Sequence, residues 1–128
     1  MALICLDTNI LIAHKRAKRG DKDKTQLYGF AAQGCRFAVS SITVYELLRG
    51  DNRDEDHYWH TMFASMEILP FDFACSEYAA RLYKDLKQKG VLIEAEDLFI
   101  GATALRHQLP LATSNTRHFE RIEGLALV

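Results

Sequence analysis

Strong charge of either sign is missing from this chain of 128 residues: 16 lysines and arginines against 17 aspartates and glutamates leave a formal net charge of −1. Bulk positive charge therefore does not advertise a nucleic-acid binder, although an acidic site would mask basic residues placed elsewhere. Cysteine is scarce as well. Cys5, Cys35 and Cys75 are odd in number and form no CxxC pair, which argues against a disulfide framework or a cysteine zinc site and suits small hydrophobes in a reducing cytosol. No window approaches about eighteen uninterrupted apolar residues, and Asp7 breaks the apolar start with no basic stretch before it. Neither a membrane span nor a signal peptide is expected, and the expected location is cytoplasmic. Internal repeats, low-complexity segments and interdomain linkers are also lacking.

What is present is ordinary globular composition, 48% hydrophobic and 26% charged. The length suits one domain over residues 1–128, large enough to bury a core without metal or disulfide staples. A metal, if used, would serve chemistry rather than folding. Leu3 to Leu6 is a short apolar run without polar alternation, as in a strand covered on both faces. Asp7-Thr8-Asn9 offers helix caps before Ile10-Leu11-Ile12-Ala13. Arg36 to Val39 repeats the pattern, with Ser40-Ser41 capping a helix that Gly50 stops. Ile68-Leu69 is a short strand cut off by Pro70, Cys75 to Lys89 an amphipathic helix, Ala95 to His107 another, and Leu111 to Thr113 a strand. Leu125 to Val128 is a candidate last strand. Alternation of this kind predicts an α/β fold: a central parallel sheet of four to five strands with helices on both faces.

In such sheets ligands bind beyond the carboxyl ends of the strands. Asp7 follows the first strand directly, and Asn115 follows the strand Leu111 to Thr113. Glu46, placed in the first half of its helix, is the only charge between Arg36 and Arg49. Asp97 lies in the first turn of its helix, one turn before Gly101, and a glycine there suggests close packing against the backbone. Each acid alone has a plain explanation: Asp7 as a cap, Glu46 on a solvent face, Asp97 complementing a helix dipole with Glu94 and Glu96. Three carboxylates converging would repel one another unless a cation were present, and hard Mg²⁺ or Mn²⁺ meets that need.

Four segments in order carry a resemblance: Leu6-Asp7-Thr8-Asn9, Ser41-Ile42-Thr43-Val44-Tyr45-Glu46-Leu47, Asp97-Leu98-Phe99-Ile100-Gly101-Ala102 and Thr113-Ser114-Asn115-Thr116-Arg117-His118-Phe119. Together they resemble the signatures of the PIN domain across essentially the whole chain, and the last resembles the VapC toxins of bacterial toxin–antitoxin pairs. The resemblance implies a magnesium- or manganese-dependent endoribonuclease acting as the toxin. Its substrate would be a single-stranded loop of a structured RNA such as a tRNA, hydrolysed without a covalent intermediate. Asp7, Glu46, Asp97 and Asn115 would be the catalytic set, with Asp7 and Asp97 the main metal ligands and Glu46 holding a water or a second ion. Asn115 stands where the family often has a fourth acid, so one ion is better supported than two. Thr8, Asn9 and Thr113 would be hydrogen-bonding partners of the ligands. A VapB-like antitoxin and a homodimer are the implied protein partners. The run from His14 to Arg19 with Lys22 and Lys24 would track a phosphate backbone or simply close a helix. His57 and His60 lack a third zinc ligand, and His118 lies near enough to Asn115 to touch substrate. The alternatives are a catalytically weakened PIN domain that binds protein or RNA, and an aspartyl-phosphate phosphatase. The latter expects an acid where Asn9 stands.

Overall fold

The computed structural model describes residues 2–50 and 53–128. Four short strands, β1 (Leu3–Leu6), β2 (Arg36–Ser40), β3 (Glu67–Leu69) and β4 (Leu111–Ala112), form one sheet in the order β3-β2-β1-β4. Every pairing is parallel, with Ile4 opposite Phe37, Val39 opposite Ile68 and Cys5 opposite Leu111. The candidate strand at Leu125 to Val128 reduces to a single bridge from Leu127 to Leu111.

Successive strand residues point to opposite faces, and both faces are covered. Cys5, Ala38 and Leu111 pack with α5 (Phe73–Gln88) and α6 (Ala95–Arg106) through Ala79, Leu82, Leu86, Leu98 and Ile100. Ile4, Leu6, Val39 and Ala112 face α1 (Thr8–Arg16), α2 (Gln26–Ala32), α3 (Ser41–Leu48) and α4 (Arg53–Phe63). This two-sided burial explains why the strands read as apolar runs rather than alternating ones. Trp59 and Phe63 stack within the second cluster with ring centroids 6.1 Å apart, and so serve as packing groups.

Of the acidic stretch Asp51 to Asp56, Asp51 and Asn52 lie outside the described residues and the rest opens α4. Helix α2, reached through a 3₁₀ turn at Arg19–Lys24, and the one-turn α7 (Thr116–Phe119) are additions to the sequence reading. Their short length, seven and four residues, leaves almost no helical period to detect. Gly101 answers its expectation: a Cβ there would lie 2.5 Å from Ile122 Cδ1 and 3.5 Å from Phe119 Cδ1. The bare backbone of α6 thus lets α7 and its following turn press against it. Among the described residues no helix is long and apolar enough to cross a membrane.

Candidate active site

The strand order turns around at β1, with β2 on one side and β4 on the other, so a crevice opens beyond the carboxyl ends of β1 and β4. Asp7 stands at its base. It caps α1 from an extended backbone, accepting the Thr8 N–H at 2.8 Å through Oδ1. Capping engages only one carboxylate oxygen of Asp7 and leaves the other for a second contact. Oδ2 accepts the Thr113 hydroxyl at 2.8 Å, across 106 residues of chain, and the Thr113 oxygen in turn accepts the Asn115 N–H at 2.9 Å. Chained donors of this kind polarise one another and hold the carboxylate in one orientation. Asn9 pins the same junction, its Oδ1 accepting the Ser114 N–H at 3.3 Å.

Asp7 is only 3% exposed. Burial is the largest influence on it and pushes its pKa from 3.8 up to about 6, against the lowering effect of the Thr113 and Thr8 hydrogen bonds. The negative charges of Asp97 and Glu46 push in the same direction as burial. Asp7 thus senses both of the other acids singled out from the sequence.

Asp97, in the first turn of α6, meets the β4–α7 junction. Its Oδ2 lies 3.2 Å from His118 Nδ1 and 3.5 Å from the Asn115 side-chain nitrogen, which is 2.8 Å from the same imidazole nitrogen. An imidazole protonated at Nε2 accepts from the Asn115 amide, whereas one protonated at Nδ1 donates to Asp97. Asn115 and Asp97 therefore share a single ring nitrogen. The side chain of Asn115 makes no capping bond to α7, which frees it for this cluster.

Glu46 sits in the last turn of α3 rather than its first half, because that helix ends at Leu48. Its Oε1 accepts the Thr8 hydroxyl at 2.7 Å, and the Thr8 oxygen lies 3.1 Å from the Thr43 hydroxyl. Glu46 Oε2 is 3.9 Å from an Arg49 guanidinium nitrogen. Thr8 is thus the hinge of the site: its backbone serves Asp7 and its side chain serves Glu46. Thr43 and Ser40, whose side chain caps α3, extend the polar floor and were not foreseen, since a serine or threonine opening a helix signals only a cap. His57 and His60 stay apart from the crevice, exposed on α4.

Among the described residues no three histidine, cysteine, aspartate or glutamate groups converge closely enough to enclose an ion by themselves. The donor set is instead one buried carboxylate, a second across the crevice, a third held through Thr8, and an amide. Mg²⁺ is commonly held in this way, by one or two carboxylates with waters and substrate oxygens completing six.

A PIN domain model matches residues 4–125. The chain is 31% identical to Ribonuclease VapC1 of Methanocaldococcus jannaschii, covering 97% of this chain and 84% of that protein. It is 25% identical to the tRNA(fMet)-specific endonuclease VapC of Shigella flexneri, covering 98% and 96%. Among solved structures, VapBC2 from Rickettsia felis bound to a DNA fragment from their promoter aligns with a TM-score of 0.81 at 27% identity, covering 98% of this chain and 97% of that one.

Proposed function

Since this chain belongs to the PIN domain family and is similar over nearly its whole length to a VapC ribonuclease, we propose that it is a Mg²⁺- or Mn²⁺-dependent endoribonuclease, the toxin of a toxin–antitoxin pair. One observation carries the metal dependence: an aspartate whose proton affinity is raised first by burial and then further by the charges of Asp97 and Glu46. A cation relieves that repulsion, and the same oxygens are hard donors suited to Mg²⁺ or Mn²⁺.

Asp7 and Asp97 would hold the ion, with Asn115 offering a neutral carbonyl oxygen and Glu46 set back behind Thr8. When bound, the ion supplies positive charge to the phosphoryl group under attack and acidifies a water molecule. The chain's own residues do the rest. Thr8 and Thr113 hold the Asp7 oxygens in register. Thr8 also orients Glu46, whose Oε2 would accept a proton from the attacking water. That water adds to phosphorus as the P–O bond to the departing nucleotide breaks, the departing oxygen takes a proton from solvent water, and no covalent enzyme intermediate forms. With an amide at position 115, one ion is the expected complement.

A single-stranded loop of a structured RNA, such as a tRNA, is the proposed substrate, supported by the named specificity of the Shigella relative. A VapB-like antitoxin is the proposed partner, supported by the likeness to VapBC2. The homodimer would cover the apolar groove between α5 and α6, a cavity of 480 Å³ lined by Phe71, Ala79, Tyr83, Leu92 and Phe99. Cleavage of RNA by the purified chain in Mg²⁺ or Mn²⁺, its loss in EDTA, and its loss in Asp97→Asn with the fold intact are the expected results. Cleavage that survives EDTA and the substitution would sink the reading.

A further inference from the structure

The basic run of residues 14–24 is divided by the fold. Lys22 Nζ bonds to the carbonyl oxygens of His14 and Lys15, the latter at 2.7 Å, and so closes the C-terminal end of α1. Lys24 pairs with Asp21 at 3.1 Å within its own turn. Arg16 is placed differently, beside Lys15, which has a partner of its own and holds its ammonium 5.4 Å from the Tyr58 ring centroid. Both line a recess of 190 Å³ with Ile12, Glu46 and Leu47, backed by the buried Trp59. No hydrogen bond or ion pair ties the Arg16 guanidinium to another described residue.

Glu46 borders both this recess and the crevice that Thr8 shares with Asp7. The two spaces are therefore neighbours. Helix α1 measures the offset, since Asp7 caps its start and Arg16 is its last residue, about 13.5 Å of axis further on. Carbonyls at a helix C-terminus ordinarily disfavour an anion, but here the Lys22 ammonium sits on them. A guanidinium without a partner among the described residues, an ammonium beside it and a polar space of this size match the chemistry of a phosphodiester.

We infer that this recess binds a backbone phosphate of the RNA strand at a nucleotide flanking the cleaved bond, with Arg16 as the principal contact and Lys15 beside it. The inference rests on the ribonuclease reading above and gives its substrate a second point of attachment. Net charge conceals the recess because two cations here are offset by the acids of the crevice.

The test uses the Asp97→Asn chain, which holds RNA without cutting it, and a fluorescein-labelled RNA hairpin followed by anisotropy in 50 to 200 mM KCl. Arg16→Ala should lower the slope of log affinity against log salt by about 0.7, so that the ratio of affinities at the two salts shrinks about 2.6-fold. Arg16→Lys should keep most of the slope. Lys24→Ala, the same charge change outside the recess, should leave slope and affinity unaltered. In the cleaving chain Arg16→Ala should raise KM and spare kcat. An unchanged slope in Arg16→Ala, or an equal drop in Lys24→Ala, overturns the inference. Unchanged RNA binding with lost capture of a polyglutamate peptide also overturns it and assigns the recess to an acidic protein segment. If the unsubstituted chain fails to cut RNA while Arg16→Ala still lowers the slope, the ribonuclease reading falls and the RNA recess stands.

Discussion

Replacing Asp7 by asparagine removes a charge that the fold holds at a cost. Unfolded, this carboxyl releases its proton near 3.8; folded, it does so at about 6. The folded state therefore binds the proton more tightly. Its stabilising contribution is complete below 3.8, drains away as pH rises through 6, and is absent above that. The span of about two units corresponds to roughly 3 kcal/mol at 1.36 kcal/mol per unit. Asparagine keeps an oxygen for the Thr8 N–H and meets the Thr113 hydroxyl with an amide, one hydrogen-bond mismatch costing about 1 kcal/mol. The net gain is about 2 kcal/mol at pH 8 in EDTA, or roughly 6–10 °C in Tm for a chain of this length. Thermal unfolding followed by circular dichroism at pH 4 and pH 8 checks it. The variant should melt higher at pH 8, match or fall below the parent at pH 4, and gain little from Mn²⁺, which should raise the parent's Tm. A variant that melts no higher than the parent at pH 8, or a gap independent of pH, would refute the argument.

Thr113→Val removes a donor from the buried carboxylate and should cost about 1.5–3 kcal/mol at neutral pH, the range for a hydrogen bond to a charged group. It should also move the acidic limb of the activity profile to higher pH, seen in rates against pH. Gly101→Ala should destabilise by about 1–3 kcal/mol through the clash with Ile122 Cδ1. On an Ile122→Val background, where that methyl is gone, the same change should become neutral or stabilising by up to about 1 kcal/mol. Urea denaturation of the four combinations measures the coupling. Asn115→Asp places a carboxylate beside Asp97 and should tighten Mn²⁺ on the order of tenfold; calorimetric titration reads it, and weaker binding would contradict the assignment of position 115 to the ion.

Much of this was legible beforehand, for reasons that differ by element. The strands β1 and β2 announced themselves because burial on both faces leaves no room for polar residues, and each is followed by a capping side chain that fixes where the helix begins. Gly101 was informative because its cost in a helix demanded a close neighbour, and Ile122 and Phe119 are that neighbour. The four segments that carried the family resemblance were enough to place the acids in order. What no local pattern contained was the wiring. That Thr8 would serve Asp7 with its backbone and Glu46 with its hydroxyl depends on where α3 crosses α1. That Lys22 would turn back onto α1 while Arg16 faced the recess depends on the 3₁₀ turn between them. Gly50 marked the end of α3 correctly, and Glu46 was still assigned to the wrong half, since it is two residues from the end of Ser41–Leu48.

The bond from Thr113 to Asp7 joins two positions 106 residues apart. A ribosome making this chain therefore releases the first acid of the site long before the residues that hold its carboxylate in place. Asn115 and His118 emerge later still. Messages broken before codon 113 yield products that lack Thr113, Asn115 and His118 and so cannot form these contacts. Trimming from the carboxyl end works in the opposite sense. A protease that removes α7 and the segment leading into it takes Asn115 and His118 together with Phe119, the largest fully buried side chain of the described residues.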